Sequence, residues 1–167
     1  MIACETRPLN QGSRLTCWEL ARDGGVDVTL IPDSSAAYLM RKGGMIDLVV
    51  VGADRITKDA VFNKIGTYMH AVAARHHGIP FYVAAPVSTF DLSRRETDIT
   101  VEERDRSELT SCGDKKLAPD NVNVLNYAFD ATPPLDLVDA IVTEIGVLRP
   151  PYMESFRLVG RDREVRP

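Results

Sequence analysis

The 167-residue chain has three cysteines, Cys4, Cys17 and Cys112, an odd number without paired spacing. That excludes a disulfide framework and gives no zinc pattern. No apolar run approaches the ~20 residues of a membrane span. The longest, around Val49-Val50-Val51, is strand-sized. Met1-Ile2-Ala3-Cys4-Glu5 has neither a basic region nor an apolar core, so no secretory leader is expected. Positive charge is not in excess: 20 Lys and Arg face 24 Asp and Glu, a net of −4. A nucleic-acid grip through a concentrated basic face is therefore not expected. Glycine-rich phosphate fingerprints, internal repeats and low-complexity segments are also missing. The expectation left is a cytoplasmic globular protein with neither nucleic acid nor membrane as partner.

What is present fits that class, with 44% hydrophobic and 26% charged residues. The length suggests one domain of ~150 residues. Val26–Ile31, Ile46–Val51 and Ile79–Ala84 are short, β-branched and aromatic, as in strands buried on both faces of a parallel sheet. Between them lie helical stretches. One runs from Gln11 to Arg22 with Leu15 and Trp18 inward, and one from a capping Asp33 or Ser34 to Arg41. Another runs from Asn63 to His77 with Ile65, Met69, Val72, Ala73 and His76 on the core stripe. Trp18, Tyr68 and Phe81 are expected in the core. Residues 93–116 are a charged excursion with one short strand at Ile99–Val101. A strand near Val122–Leu125, a loop Phe129–Pro134 and a helix from Leu135 to Ile145 follow, then a frayed charged end from Arg161. The alternation predicts an α/β fold: a doubly wound, Rossmann-like, mostly parallel sheet with helices on both faces.

Such sheets bind ligands beyond the carboxyl ends of their strands. Three loops have that position: Glu5–Gly12, Gly52–Ile56 and Ala84–Thr89. Asp54 follows a very apolar strand; desolvation there would raise a carboxyl pKa and suit a general acid. The alternative is a carboxylate paired with Arg55 or Arg7, or one closing a turn. Asn63 and Lys64 would open a helix, where backbone N–H groups and a lysine hold phosphate, or where they merely cap it. Gln11 could position a substrate hydroxyl or satisfy backbone groups. His70, His76 and His77 share one helix but cannot converge on a metal, and Cys4 and Cys17 read as core.

Several motifs stand in order from residue 2 to about 152. They are Glu5-Thr6-Arg7-Pro8 with Gln11-Gly12-Ser13-Arg14-Leu15-Thr16, Gly52-Ala53-Asp54-Arg55-Ile56 and Asn63-Lys64-Ile65-Gly66-Thr67. Phe81-Tyr82-Val83-Ala84-Ala85-Pro86, Glu102-Glu103-Arg104 and Ala128-Phe129-Asp130-Ala131-Thr132-Pro133-Pro134 follow. Together they resemble the methylthioribose-1-phosphate isomerase family. Its wider superfamily includes ribose-1,5-bisphosphate isomerases and regulatory subunits of translation initiation factor 2B. The resemblance implies an aldose-to-ketose isomerase of methionine salvage, with no metal and no cofactor. It implies Asp54 as the catalytic acid and Gln11, Asn63 and Lys64 as substrate-binding residues. It also implies a homodimer acting on a small sugar phosphate.

Two departures stand out. Family members are about twice this length, and their N-terminal half supplies an arginine phosphate loop and a catalytic cysteine. The NGD segment common in the family is replaced here around Lys58-Asp59. Residues 1–152 are therefore expected to be the C-terminal domain with a tail at 153–167. The lone chain is expected to be inactive without a separate N-terminal half. The alternatives are a non-catalytic regulatory protein related to initiation factor 2B subunits, or a ribose-1,5-bisphosphate isomerase.

Overall fold

β-Branched and aromatic triplets form the strands of the computed structural model, which describes residues 1–22 and 25–165. The chain divides into two units, Met1–Tyr38 with Glu102–Ala128, and Leu39–Val101 with Phe129–Pro167. In the first, β1 (Ile2–Cys4) pairs in parallel with β2 (Thr29–Ile31). The intervening chain forms a π-helical turn at Gly12–Thr16 that runs into α1 (Cys17–Arg22). α2 (Ala36–Lys42) follows a 3-10 turn, passes from the first unit's residues into the second's after Tyr38, and ends at Gly43, whose φ of 69° suits a residue without a Cβ.

The second unit is built on a four-stranded sheet and a three-stranded one. β3 (Val49–Val51), β6 (Phe81–Ala84) and β10 (Ala140–Thr143) run parallel, and β11 (Gly146–Leu148) adds to β10 antiparallel. Phe81, Val83, Ile141 and Leu148 alternate onto one face and are buried. α6 (Tyr152–Val165) contributes buried Tyr152, Phe156 and Val159. Its Tyr152 hydroxyl donates to Val138 O at 3.0 Å, and Phe156 meets Phe90 edge-on at 5.5 Å. β4 (Arg55–Ile56), β5 (Val61–Lys64) and β9 (Phe129–Thr132) form an antiparallel sheet, and α3 (Thr67–His76) leaves the end of β5. The first unit's excursion holds α4 (Ser107–Thr110) and a hairpin of β7 (Ser111–Cys112) and β8 (Lys115–Lys116).

The α/β class holds, with parallel strands at its centre. Several expectations about elements do not. The helix expected over 135–145 is a single turn, α5 (Pro134–Leu137), followed by β10. Ile141-Val142-Thr143 is a β-branched run, and it pairs with β6 in parallel register, Ile141 across from Val83 and Val142 across from Ala84. Strands do not form at Ile99–Val101 or Val122–Leu125; the strand is β9, where a loop was expected. Helix α3 starts at Thr67, so Asn63 and Lys64 end a strand instead.

Burial patterns also differ. α3 buries Thr67, Ala71 and Ala74, small residues that permit close approach, and leaves Met69 and Val72 exposed. Leu15, Trp18 and Tyr68 are exposed too, and the Arg22 guanidinium lies over the Trp18 ring at 4.4 Å. Val50 is 58% exposed, so β3 is not covered on both faces. The segment expected as a tail after residue 152 is helical to Val165, with Phe156 and Val159 buried.

Gly12 shows why the first turn needs glycine. A Cβ there would lie 1.8 Å from Cys4 O and 2.7 Å from Thr6 Oγ1. The obstacle is backbone, which cannot swing aside. Gly12→Ala is expected to lower unfolding free energy by about 3 kcal/mol. Denaturant unfolding of the variant against the parent chain checks this.

Candidate functional site

β3 delivers Gly52-Ala53-Asp54 to the carboxyl end of the parallel strands. Asp54 is exposed, so the desolvated carboxylate expected from its apolar strand is not found; the strand ends before it and the loop projects into water. Its N–H donates to Phe62 O at 2.9 Å, which ties the loop to β5 one residue before Asn63. Arg55 does not pair with it but bonds Asp91 at 3.0 Å. A Cβ on Gly52 would lie 3.8 Å from Asn63 Oδ1, so the Asn63 amide oxygen faces the loop that carries Asp54. The second unit therefore brings Asp54 and Asn63 together.

Lys64 is placed differently. Neighbouring strand residues project to opposite faces, and Lys64 lies directly across from Phe129 in the β5–β9 register. Its ammonium sits 4.8 Å from the centre of the Phe129 ring. Gln11 belongs to the first unit, where it is exposed and precedes the π-helical turn without capping it through its side chain.

The turn between β5 and α3 is pinned by side chains. Asn63 Nδ2 donates to Thr67 Oγ1 at 3.0 Å, and Thr67 Oγ1 donates to Lys64 O at 2.7 Å. Gly66 has φ of 99° with open space where a Cβ would be, so its conformation is what calls for glycine. The Asp130 carboxylate accepts from Gly66 N at 2.7 Å and Tyr68 N at 3.1 Å. Burial pushes the Asp130 carboxyl above its ordinary range, against the pull of those two amides and of His70. The N-terminal amides of α3, expected to be open to phosphate, are thus already engaged in part by a carboxylate. Sequence reasoning missed Thr67 and Asp130. Both were in quoted motifs, but Asp130 read as loop because β9 was not recognised.

In the first unit the Glu5–Gly12 loop is held by Asp33. Its two carboxylate oxygens accept from Thr6 N at 2.8 Å and Arg7 N at 2.7 Å, the work expected to be helix capping. Thr6 and Asn10 have φ of 64° and 54°; asparagine visits this left-handed region readily, whereas for the β-branched Thr6 it is strained. Arg7 turns back, donating to Pro8 O at 2.9 Å and Glu108 O at 3.4 Å. A cleft of about 550 Å³ lies beside it, lined by Arg7, Asn10, Arg14, Ser107 and Cys112 among others. Burial, with the charges of Asp33 and Glu5, pushes the Cys4 thiol up to about 11. Cys4 therefore lacks the thiolate character of a nucleophile. Among the described residues no group of three or more His, Cys, Asp or Glu side chains could hold a metal ion.

Comparison with known proteins agrees with this architecture. The model of the initiation factor 2 subunit family matches residues 1–150, and the chain belongs to that family. It is 63% identical over 152 residues to a putative methylthioribose-1-phosphate isomerase of Archaeoglobus fulgidus, covering 91% of this chain and 44% of that protein. It is 56% identical to a methylthioribose-1-phosphate isomerase of Heliobacterium modesticaldum, covering 98% of this chain and 47% of the relative. A crystal structure described as translation initiation factor eIF-2B subunit delta from A. fulgidus superposes with a TM-score of 0.91 at 61% identity, covering 95% and 46% of the two chains. That of 5-methylthioribose 1-phosphate isomerase from Pyrococcus horikoshii gives 0.90 at 44% identity, covering 96% and 44%. The chain spans about half the length of the curated relatives it matches.

Two outcomes follow. Thr67→Val keeps shape but removes one donor and one acceptor from the buried turn, and should cost about 1–2 kcal/mol in thermal or denaturant unfolding. For Cys4, the folded thiol holds its proton to a higher pH than the unfolded one. Its contribution to stability is therefore complete below the unfolded thiol's pKa and is lost as pH rises towards about 11. Alkylation of the native chain should accordingly modify exposed Cys112 at mildly alkaline pH and spare Cys4 until strongly alkaline pH, as peptide mass mapping would show.

Proposed function

We propose that this chain is the C-terminal, acid-bearing part of an S-methyl-5-thioribose-1-phosphate isomerase. The observation that carries the reading is the 63% identity to a protein named for that activity across residues that include Asp54, Asn63 and Lys64. The phosphate on the anomeric oxygen blocks ordinary ring opening, so an acid must protonate the ring oxygen while hydrogen moves between C1 and C2. Asp54 is the acid. Asn63, its amide oxygen turned to the Asp54 loop, holds the sugar. The resemblance also proposes Gln11 and Lys64 as binding residues, although Lys64 projects to the face of β5 opposite Asn63, against the Phe129 ring.

Asp54 is exposed, whereas acid catalysis of this kind works best with water excluded. The wall and the second hydrogen-transferring group are assigned to the part of the relatives' length that this chain does not span. This supports the reading that the chain binds sugar phosphate but does not turn it over alone. Homodimerisation belongs to the same proposal. Exposed Tyr68, Met69 and Val72 of α3, with Ile65 in the turn before it, offer apolar surface for it. A cytoplasmic setting is proposed too; among the described residues no helix is long and apolar enough to cross a membrane.

A second reading, a non-catalytic regulatory protein, is favoured by the 61% identity to the structure described as an initiation factor subunit. An assay with methylthioribose 1-phosphate separates the two. The chain alone should form no ketose, and an added N-terminal half should restore turnover. Asp54→Asn in the reconstituted enzyme should then lose at least ~10²-fold, the usual worth of a general acid. Turnover by the chain alone, or more than about a tenth of activity surviving Asp54→Asn, would contradict the proposal. Sedimentation should show a species heavier than the 18.5 kDa chain.

A further inference from the structure

We propose that Asp130 is a positioning residue for the binding site, acting on substrate through Asn63 without touching it; this rests on the isomerase reading above. β9 lays Asp130 directly opposite Asn63, and opposed residues in an antiparallel pair share a face. The carboxylate reaches past Asn63 to Gly66 N at 2.7 Å and Tyr68 N at 3.1 Å. Those two amides bracket Thr67, whose hydroxyl accepts the Asn63 side-chain amide at 3.0 Å. A continuous path therefore runs from the carboxylate, through the backbone of the β5–α3 turn and the Thr67 hydroxyl, to the amide group beside the Asp54 loop.

Each link constrains the next. Gly66 at φ of 99° is a conformation that glycine samples freely but does not hold by itself. The carboxylate gives it a fixed partner through a charge-assisted hydrogen bond. With Thr67 Oγ1 also donating to Lys64 O at 2.7 Å, its lone pairs point back to Asn63, and the amide is left in one orientation. Asn63 Oδ1 is then directed to the Gly52 side, where a ligand held by Asp54 would meet it. A loose amide would have to be ordered at the moment of binding, which weakens affinity. Asp130 removes that cost in advance.

Asp139 provides the comparison a purely structural role requires. It too is a half-buried carboxylate accepting a backbone N–H, from Phe81 at 2.8 Å, but it serves the start of β6 and not the turn. Titration calorimetry of methylthioribose 1-phosphate into the full chain and its variants tests the assignment. Asp130→Asn should weaken affinity about tenfold, the scale of one well-placed polar contact, and shift the Gly66 and Tyr68 amide resonances. Asp139→Asn should lose stability yet bind as the parent does. Losses from Asp130→Asn and Asn63→Ala should not add in the double variant, because both act through the same amide. Should Asp130→Asn fail to fold, Asp130→Glu keeps the charge one methylene displaced and should still weaken binding. Parental affinity in the folded Asp130 variants, fully additive losses, or an equal loss from Asp139→Asn would overturn the assignment while leaving the isomerase reading in place. No binding by the parent chain would overturn both.

Discussion

The burial of one face of the four-stranded sheet is the constraint on which the second unit depends. Phe81, Val83, Ile141 and Leu148 are closed to water, and Tyr152 and Phe156 of α6 are buried as well. Because strand side chains alternate, closing this face fixes the register of β3, β6 and β10 to one another. It thereby fixes where each strand ends and its loop begins. Asp54 stands three residues beyond the end of β3 at Val51, which pairs with Val83 of β6. Burying four large apolar side chains, at roughly 1.5–3 kcal/mol each, far outweighs any single polar contact in the loops. The sheet sets the positions and the loop chemistry refines them.

The refinement uses carboxylates on backbone amides, in both units. Asp33 holds Thr6 and Arg7, and Asp130 holds Gly66 and Tyr68. In each case a segment with positive φ lies beside a residue proposed for binding: Asn10 beside Gln11 in one, Gly66 near Asn63 in the other. Charged acceptors suit this task because a loop amide held by a carboxylate is held about twice as firmly as by a neutral oxygen. In each unit a loop is thus ordered by an acidic residue, in a chain whose net charge is −4.

The α/β class and the short parallel strands were legible because continuous β-branched runs have few other uses. Val49–Val51 and Phe81–Ala84 fell inside their expected segments. The stretch 135–145 was misread for an equally physical reason. Leu135, Val138, Ile141 and Val142 sit at helical spacing, yet Ile141 and Val142 are also adjacent β-branched residues, and pairing with β6 decides between the two. Nothing local in the sequence announces that pairing. The same limit hid the role of Asp130, since its partners lie more than sixty residues away in Gly66 and Tyr68. Asp54 and Asn63 were legible as motif residues. That Lys64 turns to Phe129 follows only once β5 is known to be a strand through Lys64.

On the proposed function, a sugar phosphate binds where the Asp54 loop meets the β5–α3 turn. The most direct test is amide chemical-shift mapping of the full chain during titration with methylthioribose 1-phosphate. Shifts are expected to concentrate at Gly52–Asp54 and Asn63–Tyr68, while the α6 amides stay still. Saturable shifts confined to other surfaces, or none at all, would contradict it.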